Sequence, residues 1–266
     1  MIHRFVLLAA LLLAAILPPR GAAQADTAGL RRSIEQITRG YQGVVGVSVR
    51  NLQTGEGVSI RGDEKFPSAS LIKVSVLVAL LHEVERGTIR LDDPLTMIAR
   101  DRVGGSGVLQ HLHSGLQLTV EDAARLMIVI SDNTATNLLL DKVPMRTVWA
   151  KMDSLGLPQT RIHSKTFLRS TSVAMDSSVR YGLGVTTPDE TVRLFTLLHQ
   201  GRAVSPRMDS VALAMLRGNE DWNKMVRWLP DGATAAHKSG DVDQSRNDCG
   251  ILYGPDAPVA LCVMTR

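Results

Sequence analysis

Ser70 and Lys73 stand three residues apart in the run Phe66-Pro67-Ser68-Ala69-Ser70-Leu71-Ile72-Lys73. On a helix that spacing puts them on one face, a hydroxyl beside an amine. A serine hydroxyl attacks poorly until a base within about 2.6–3.2 Å takes its proton. Lysine can be that base only as a neutral amine, which needs a desolvated site or a nearby cation. The residues that follow, Ile72, Val74, Val76, Leu77, Val78, Leu80 and Leu81, predict a helix buried at the centre of a domain. Ser70 is then expected in its first turn, where free backbone N–H groups favour developing negative charge. The same pair also fits a surface cap followed by an exposed lysine, and the spacing alone does not choose between them.

Two further runs add to the inventory. Ser131-Asp132-Asn133 follows the apolar stretch 123–130 and supplies a second hydroxyl with an amide beside it. Lys238-Ser239-Gly240 follows small residues that suit a strand, and Gly240 lets another group approach the backbone. A nucleophile, two amines, two auxiliary hydroxyls and an amide are equipment for acyl transfer to an anionic amide or ester.

The order and spacing of Ser70-x-x-Lys73, Ser131-Asp132-Asn133 and Lys238-Ser239-Gly240 resemble the class A beta-lactamases and related penicillin-binding proteins. Phe66 and Thr186-Thr187-Pro188 also resemble that family, and the likeness runs from about residue 40 to the C-terminus; Ser239 stands where threonine is commoner and keeps the hydroxyl. The resemblance implies that Ser70 attacks a lactam carbonyl while Lys73 handles the proton. It further implies that Ser131 relays a proton to the leaving nitrogen and Asn133 holds the substrate's side-chain amide. Lys238 and Ser239 would bind the substrate carboxylate, with Gly240 in the substrate-binding strand. The oxyanion would sit between the backbone N–H groups of Ser70 and Asp241 or a near neighbour. Asp132 reads as a brace for the turn that presents its neighbours.

Two departures bear on function. Class A enzymes carry Glu-x-x-Leu-Asn on a loop, and its glutamate is the accepted deacylation base. Here the fitting stretch is Lys165-Thr166-Phe167-Leu168-Arg169, and between Thr134 and Pro188 the only acids are Asp141, Asp153 and Asp176. Three outcomes follow: Asp176 reaches the acyl-enzyme, Lys73 serves both steps, or deacylation is slow and the protein holds beta-lactams covalently. After the third motif, Arg246 is either the arginine that helps bind the substrate carboxylate or a solvated turn residue. Asp241 and Asp243 beside that site would repel an anion, which keeps neutral esters and amides in play.

His3 and Arg4, the apolar run from Phe5 to Leu17 and Ala23-Gln24-Ala25 read as an export signal cleaved after Ala25. That run is too short to span a membrane. The mature chain, 26–266, is expected to be periplasmic or secreted, without stable membrane insertion, and monomeric. Its loss of Arg4 and Arg20 lowers Lys plus Arg from 30 to 28 against 26 acids, so the formal charge falls from +4 to +2. With aromatics at 4%, nothing suggests nucleic acid. No cofactor is implied. Scattered histidines, including His111 and His113, do not make a metal site.

The expected partner is a small molecule, a beta-lactam or a cell-wall peptide or ester. A non-catalytic member of the fold that binds the cell wall or a partner protein is the reading from a different class.

The elements that must position these residues are legible in outline. Val44 to Arg50 and Gly57 to Arg61 read as an antiparallel pair. Thr119 to Asp122 and Thr187 to Glu190 read as helix starts, and Ser205-Pro206 opens another helix through Arg217. Cys249 and Cys262 flank a hairpin whose turn is at 254–257; they are either a disulfide or two buried thiols, depending on register. Trp149, Trp222 and Trp228 read as core or groove packing. The fold class is α/β (α+β): an antiparallel sheet built from both chain ends and flanked by helices, with an inserted all-helical half, as in beta-lactamases and transpeptidases. Its divisions are expected at 26–66 and 205–266 for the sheet and 67–204 for the helices, with the active site in the cleft between.

Overall fold

The computed structural model describes residues 26–266, and the expected export signal lies outside them. Strands β1 (Val45–Asn51) and β2 (Gly57–Ile60) form the expected pair, with Val47 opposite Ile60 and Arg50 opposite Gly57. The sheet is completed from the other end of the chain by β8 (Thr234–Val242), β9 (Ser245–Tyr253) and β10 (Val259–Thr265). Its order is β2-β1-β10-β9-β8, antiparallel throughout, so β10 locks the N-terminal pair to the C-terminal hairpin. Cys249 lies opposite Cys262 in that register, and the two form a buried disulfide. Short strands β3 (Phe66–Pro67), β6 (Arg161–Ile162) and β7 (Gly184–Thr186) form a second sheet, and β4 (Pro94–Met97) pairs with β5 (Leu116–Thr119).

An exposed helix, α1 (Thr27–Thr38), precedes the sheet and meets β2. The helical half is built on α2 (Lys73–Glu85), in which every residue from Lys73 to Leu81 is buried. Such all-round burial matches its unbroken apolar sequence, since no polar face has to reach water. Around it pack α3 (Val120–Val129), α4 (Asn133–Lys142), α5 (Met145–Ser154) and α8 (Pro206–Arg217), while the short α6 (Met175–Tyr181) lies beside β7. Helix α7 (Pro188–His199) packs on β1, β9 and β10, and α8 meets β8.

The helix starts read from sequence are real caps. Thr119 Oγ1 accepts from Asp122 N at 3.0 Å while Asp122 accepts from Thr119 N at 2.9 Å. Thr187 Oγ1 accepts from Glu190 N at 3.1 Å and Ser205 Oγ from Met208 N at 3.3 Å, each followed by proline at the first helical position. Each side chain satisfies a backbone donor that the first turn leaves open. The tryptophans need a correction. Trp149 is half-buried and donates to Ile162 O at 2.7 Å, but Trp222 and Trp228 are 59% and 79% exposed. Both lie on the 219–229 loop, whose neighbouring apolar residues do not form a core.

Candidate active site

Ser70 lies in a 3-10 turn, Ala69–Ile72, that leads directly into α2. This places it one turn earlier than a regular helical start. Ser68 N donates to Gly184 O at 2.9 Å, and Asn247 Nδ2 on β9 donates to Pro67 O at 2.9 Å, so β7 and β9 grip the turn from two sides. Strand β8 runs against it. A Cβ on Gly240 would fall 2.5 Å from Ser68 O and 2.9 Å from Ser70 N, so only glycine fits there. The approach also puts the backbone of the 240–241 strand segment beside the Ser70 N–H, as an oxyanion pocket requires.

Lys73 is fully buried, and its amine contacts Ser131 O at 2.7 Å, Asn133 Oδ1 at 2.9 Å and Ser131 Oγ at 3.2 Å. Burial and then the charge of Lys238 hold its pKa well below the ordinary lysine value, against the opposing pull of Asp132. The amine donates to all three oxygens, which ties Lys73 to the Ser131 turn and to the start of α4.

Ser131 and Asn133 owe their positions to backbone strain and to Asp132. Ala69 and Ser131 take φ +46° and +58°, left-handed values that cost about 1–3 kcal/mol each without glycine. Asp132 caps α4 by accepting from Ala135 N at 2.9 Å, and its other oxygen accepts from Val108 N at 2.7 Å and Leu109 N at 2.9 Å. Gly107, at φ +105°, makes room for it, and a Cβ there would come within 2.3 Å of the Asp132 carboxyl. The glycine cluster at 104–107 thus borders the cleft, with Ser106 in its wall and Asn133 Nδ2 donating to Gly104 O at 3.0 Å.

Lys238, Ser239, Gly240 and Asp241 line a cleft of about 380 Å³ with Ser70, Ser106 and Ser131. Lys238 is fully buried, and burial brings it down to about 8 despite the upward pull of Asp221 and Asp248. Arg246 is not brought into this cleft: its guanidinium donates to Val242 O, Asp243 O and Ser245 O, which ties down the β8–β9 turn. A larger groove of about 580 Å³ lies between β1, β2 and α7, and none of the motif residues reaches it.

At the place where a deacylation glutamate is expected, the loop carries Lys165. Asn137 fastens it to α4, accepting from Thr166 N at 2.7 Å and donating to Thr166 O at 3.1 Å. Lys165 is turned to Asp141 in an ion pair, and Phe167 stands exposed near Gly105. Asp176 is exposed in the first turn of α6 and does not line the cleft.

The acids that do line it, Glu220, Asp221 and Asp241, come from the other side, and sequence spacing singled out only Asp241. Asp221 accepts from Ser239 Oγ at 2.5 Å and pairs with Lys224, which also bonds Asp241 at 2.8 Å. Burial pushes the Asp221 carboxyl upward, but the bonds from Lys224 and Ser239 outweigh it and bring it to about 2.

The Beta-lactamase enzyme family matches residues 29–266. A beta-lactamase from Streptomyces cellulosae is 29% identical over 255 residues, 92% of this chain and 79% of the relative. Among solved structures, the beta-lactamase from Sphaerobacter thermophilus superposes with a TM-score of 0.82 at 32% identity, over 91% of this chain and 89% of that one. PBP-A gives 0.81 at 28%, over 94% and 90%, and a PBP-A mutant described as an acyl-enzyme complex with penicillin-G gives 0.81 at 29% over the same shares. The chain belongs to the beta-lactamase enzyme family and is a serine hydrolase of that type.

Proposed function

We propose that the protein opens a beta-lactam amide through Ser70 and releases the resulting ester slowly. The observation that carries the first half is the buried amine of Lys73, one helical turn from Ser70 and held by Ser131 and Asn133. Ser70 Oγ attacks the lactam carbonyl carbon, and its proton passes to the neutral Lys73 amine. The oxyanion settles on the N–H groups of Ser70 and the Asp241 segment. As the C–N bond breaks, the electron pair stays on nitrogen, which takes a proton through Ser131. The related PBP-A mutant, described as an acyl-enzyme complex with penicillin-G, supports the formation of an acyl-enzyme.

The second half rests on the 163–171 loop. Water needs a base to attack the ester, and the residue at that place is a lysine bonded to Asp141, with no lone pair to offer. Lys73 remains as an amine beside the ester, and it has just carried a proton in the other direction. Residues 26–266 are proposed to act as one exported catalytic unit, in the periplasm or outside the cell. No described helix is long and apolar enough to cross a membrane.

Intact-mass measurement over time with a penicillin tests both halves. The expected record is one adduct per chain formed quickly and lost slowly, with a product burst equal to the enzyme. Rapid turnover without a burst overturns slow release. No adduct at any time overturns acylation.

A further inference from the structure

The recognition end of the cleft is not built as an open anion site. Ser239 has one hydroxyl proton, and it is already given to Asp221 Oδ2. Toward the cleft the serine is left with lone pairs, which repel a carboxylate. Lys224, a cation that could compensate, is bonded to Asp221 and Asp241. Lys238 donates to Ser239 O at 3.2 Å, and Arg246 is bonded to the turn carbonyls and lies 3.9 Å from the Asp241 carboxylate. Glu220 adds another acid to the same wall.

Asp221 is fixed there by its own segment. Asn219 Nδ2 donates to Ile128 O at 2.8 Å, Glu220 N to Val129 O at 3.0 Å, and Met225 N to Asp248 Oδ2 at 3.0 Å. Asp248 is in turn held by buried His237 at 2.9 Å. The arc from Asn219 to Met225 is therefore pinned at both ends, by α3 and by β9, with Asp221 aimed at Ser239.

We infer that Asp221 sets the substrate class of this cleft: its carboxylate occupies the place on Ser239 that a substrate carboxylate would take, so the enzyme prefers acyl donors without a free carboxylate beside the scissile amide. This rests on acylation at Ser70 as proposed above. A neutral donor leaves the Ser239–Asp221–Lys224 bonds intact, and its own N–H or O–H groups can use the lone pairs that face the cleft. An anionic donor has to displace Asp221 or sit against it, at a separation where low local dielectric makes like charges costly.

The test compares benzylpenicillin with its methyl ester, measuring the second-order rate of adduct formation on the mature chain. The ester is expected to acylate the unaltered protein at least tenfold faster than the acid. Asp221→Ala, which frees both Ser239 and Lys224, should shift the acid-to-ester ratio toward the acid by at least tenfold. Asp221→Asn, which removes the charge and keeps the shape, should shift it by less in the same direction. A ratio that favours the acid in the unaltered protein, or that neither variant moves, overturns the inference and leaves acylation standing. Loss of ester labelling in both variants assigns Asp221 a structural role and also overturns it. No adduct from either compound removes the acylation reading and this one with it.

Discussion

Lys73 and Lys165 are the same residue in two settings, and the contrast underlies the proposal that the protein acylates readily and deacylates slowly. Lys73 is sealed between α2 and the Ser131 turn, bonded to neutral oxygens, and pulled toward its uncharged form by desolvation and a neighbouring cation. Lys165 sits on a loop at the rim, paired with the carboxylate of Asp141. A neutral amine can take a proton; an ammonium cannot. On that proposal, acylation depends on packing and shared hydrogen bonds in the core, whereas deacylation depends on a loop residue at the rim.

The largest effect that could break this contrast comes from the nucleophile. Ser70→Ala should abolish the penicillin adduct in intact-mass spectra, and any labelling that survives assigns the chemistry elsewhere. Next, Lys73→Arg keeps a charge where a lone pair is needed and should slow adduct formation by about 10²–10⁴-fold. A rate within a few-fold of normal would mean that another group takes the Ser70 proton.

Lys165→Glu should sharpen the contrast from the other side, shortening the lifetime of the adduct by about a hundredfold. Its formation rate should change little, and Lys165→Ala should leave the lifetime as it was. An unchanged lifetime in the glutamate variant would show that the loop does not reach the ester.

The smallest effect is a pH profile. Acylation by a penicillin should rise from the acid side as Lys73 loses its proton. It should then fall above about pH 8, where Lys238 in turn loses the charge that faces the substrate. Lys238→Arg should carry the falling limb to higher pH, while a steady rise through pH 9.5 in the unaltered protein would remove Lys238 from that role.

Much of this was legible in the residues because local rules and tertiary demands agree. The run after Ser70 has no polar face, so its burial follows from composition. The caps at Thr119, Thr187 and Ser205 are written in four-residue windows, whereas the bonding of Cys249 to Cys262 depends on a register that the sequence leaves open. What could not be read is what two loops do on meeting. Nothing local tells Asp221 to meet Ser239, or Lys224 to bridge Asp221 and Asp241, because those contacts depend on where α3 and β9 pin the 219–229 segment. Arg246 had the right distance along the chain for a substrate arginine, but a tight turn offered its guanidinium three carbonyls first. The exposed Trp222 and Trp228 have the same origin, since apolar neighbours in sequence do not guarantee a core beneath them.

The order of strands has a consequence for when the protein becomes reactive. The turn bearing Ser70 is synthesised early, but it is gripped by Asn247 and flanked by Gly240, and the sheet that holds those residues closes only when β10 slots between β1 and β9. Pairings between such distant parts of a chain form late, after the cost of bringing the ends together has been met. A half-made polypeptide would therefore carry its serine without a pocket, and acylating power would arrive with the closing strand.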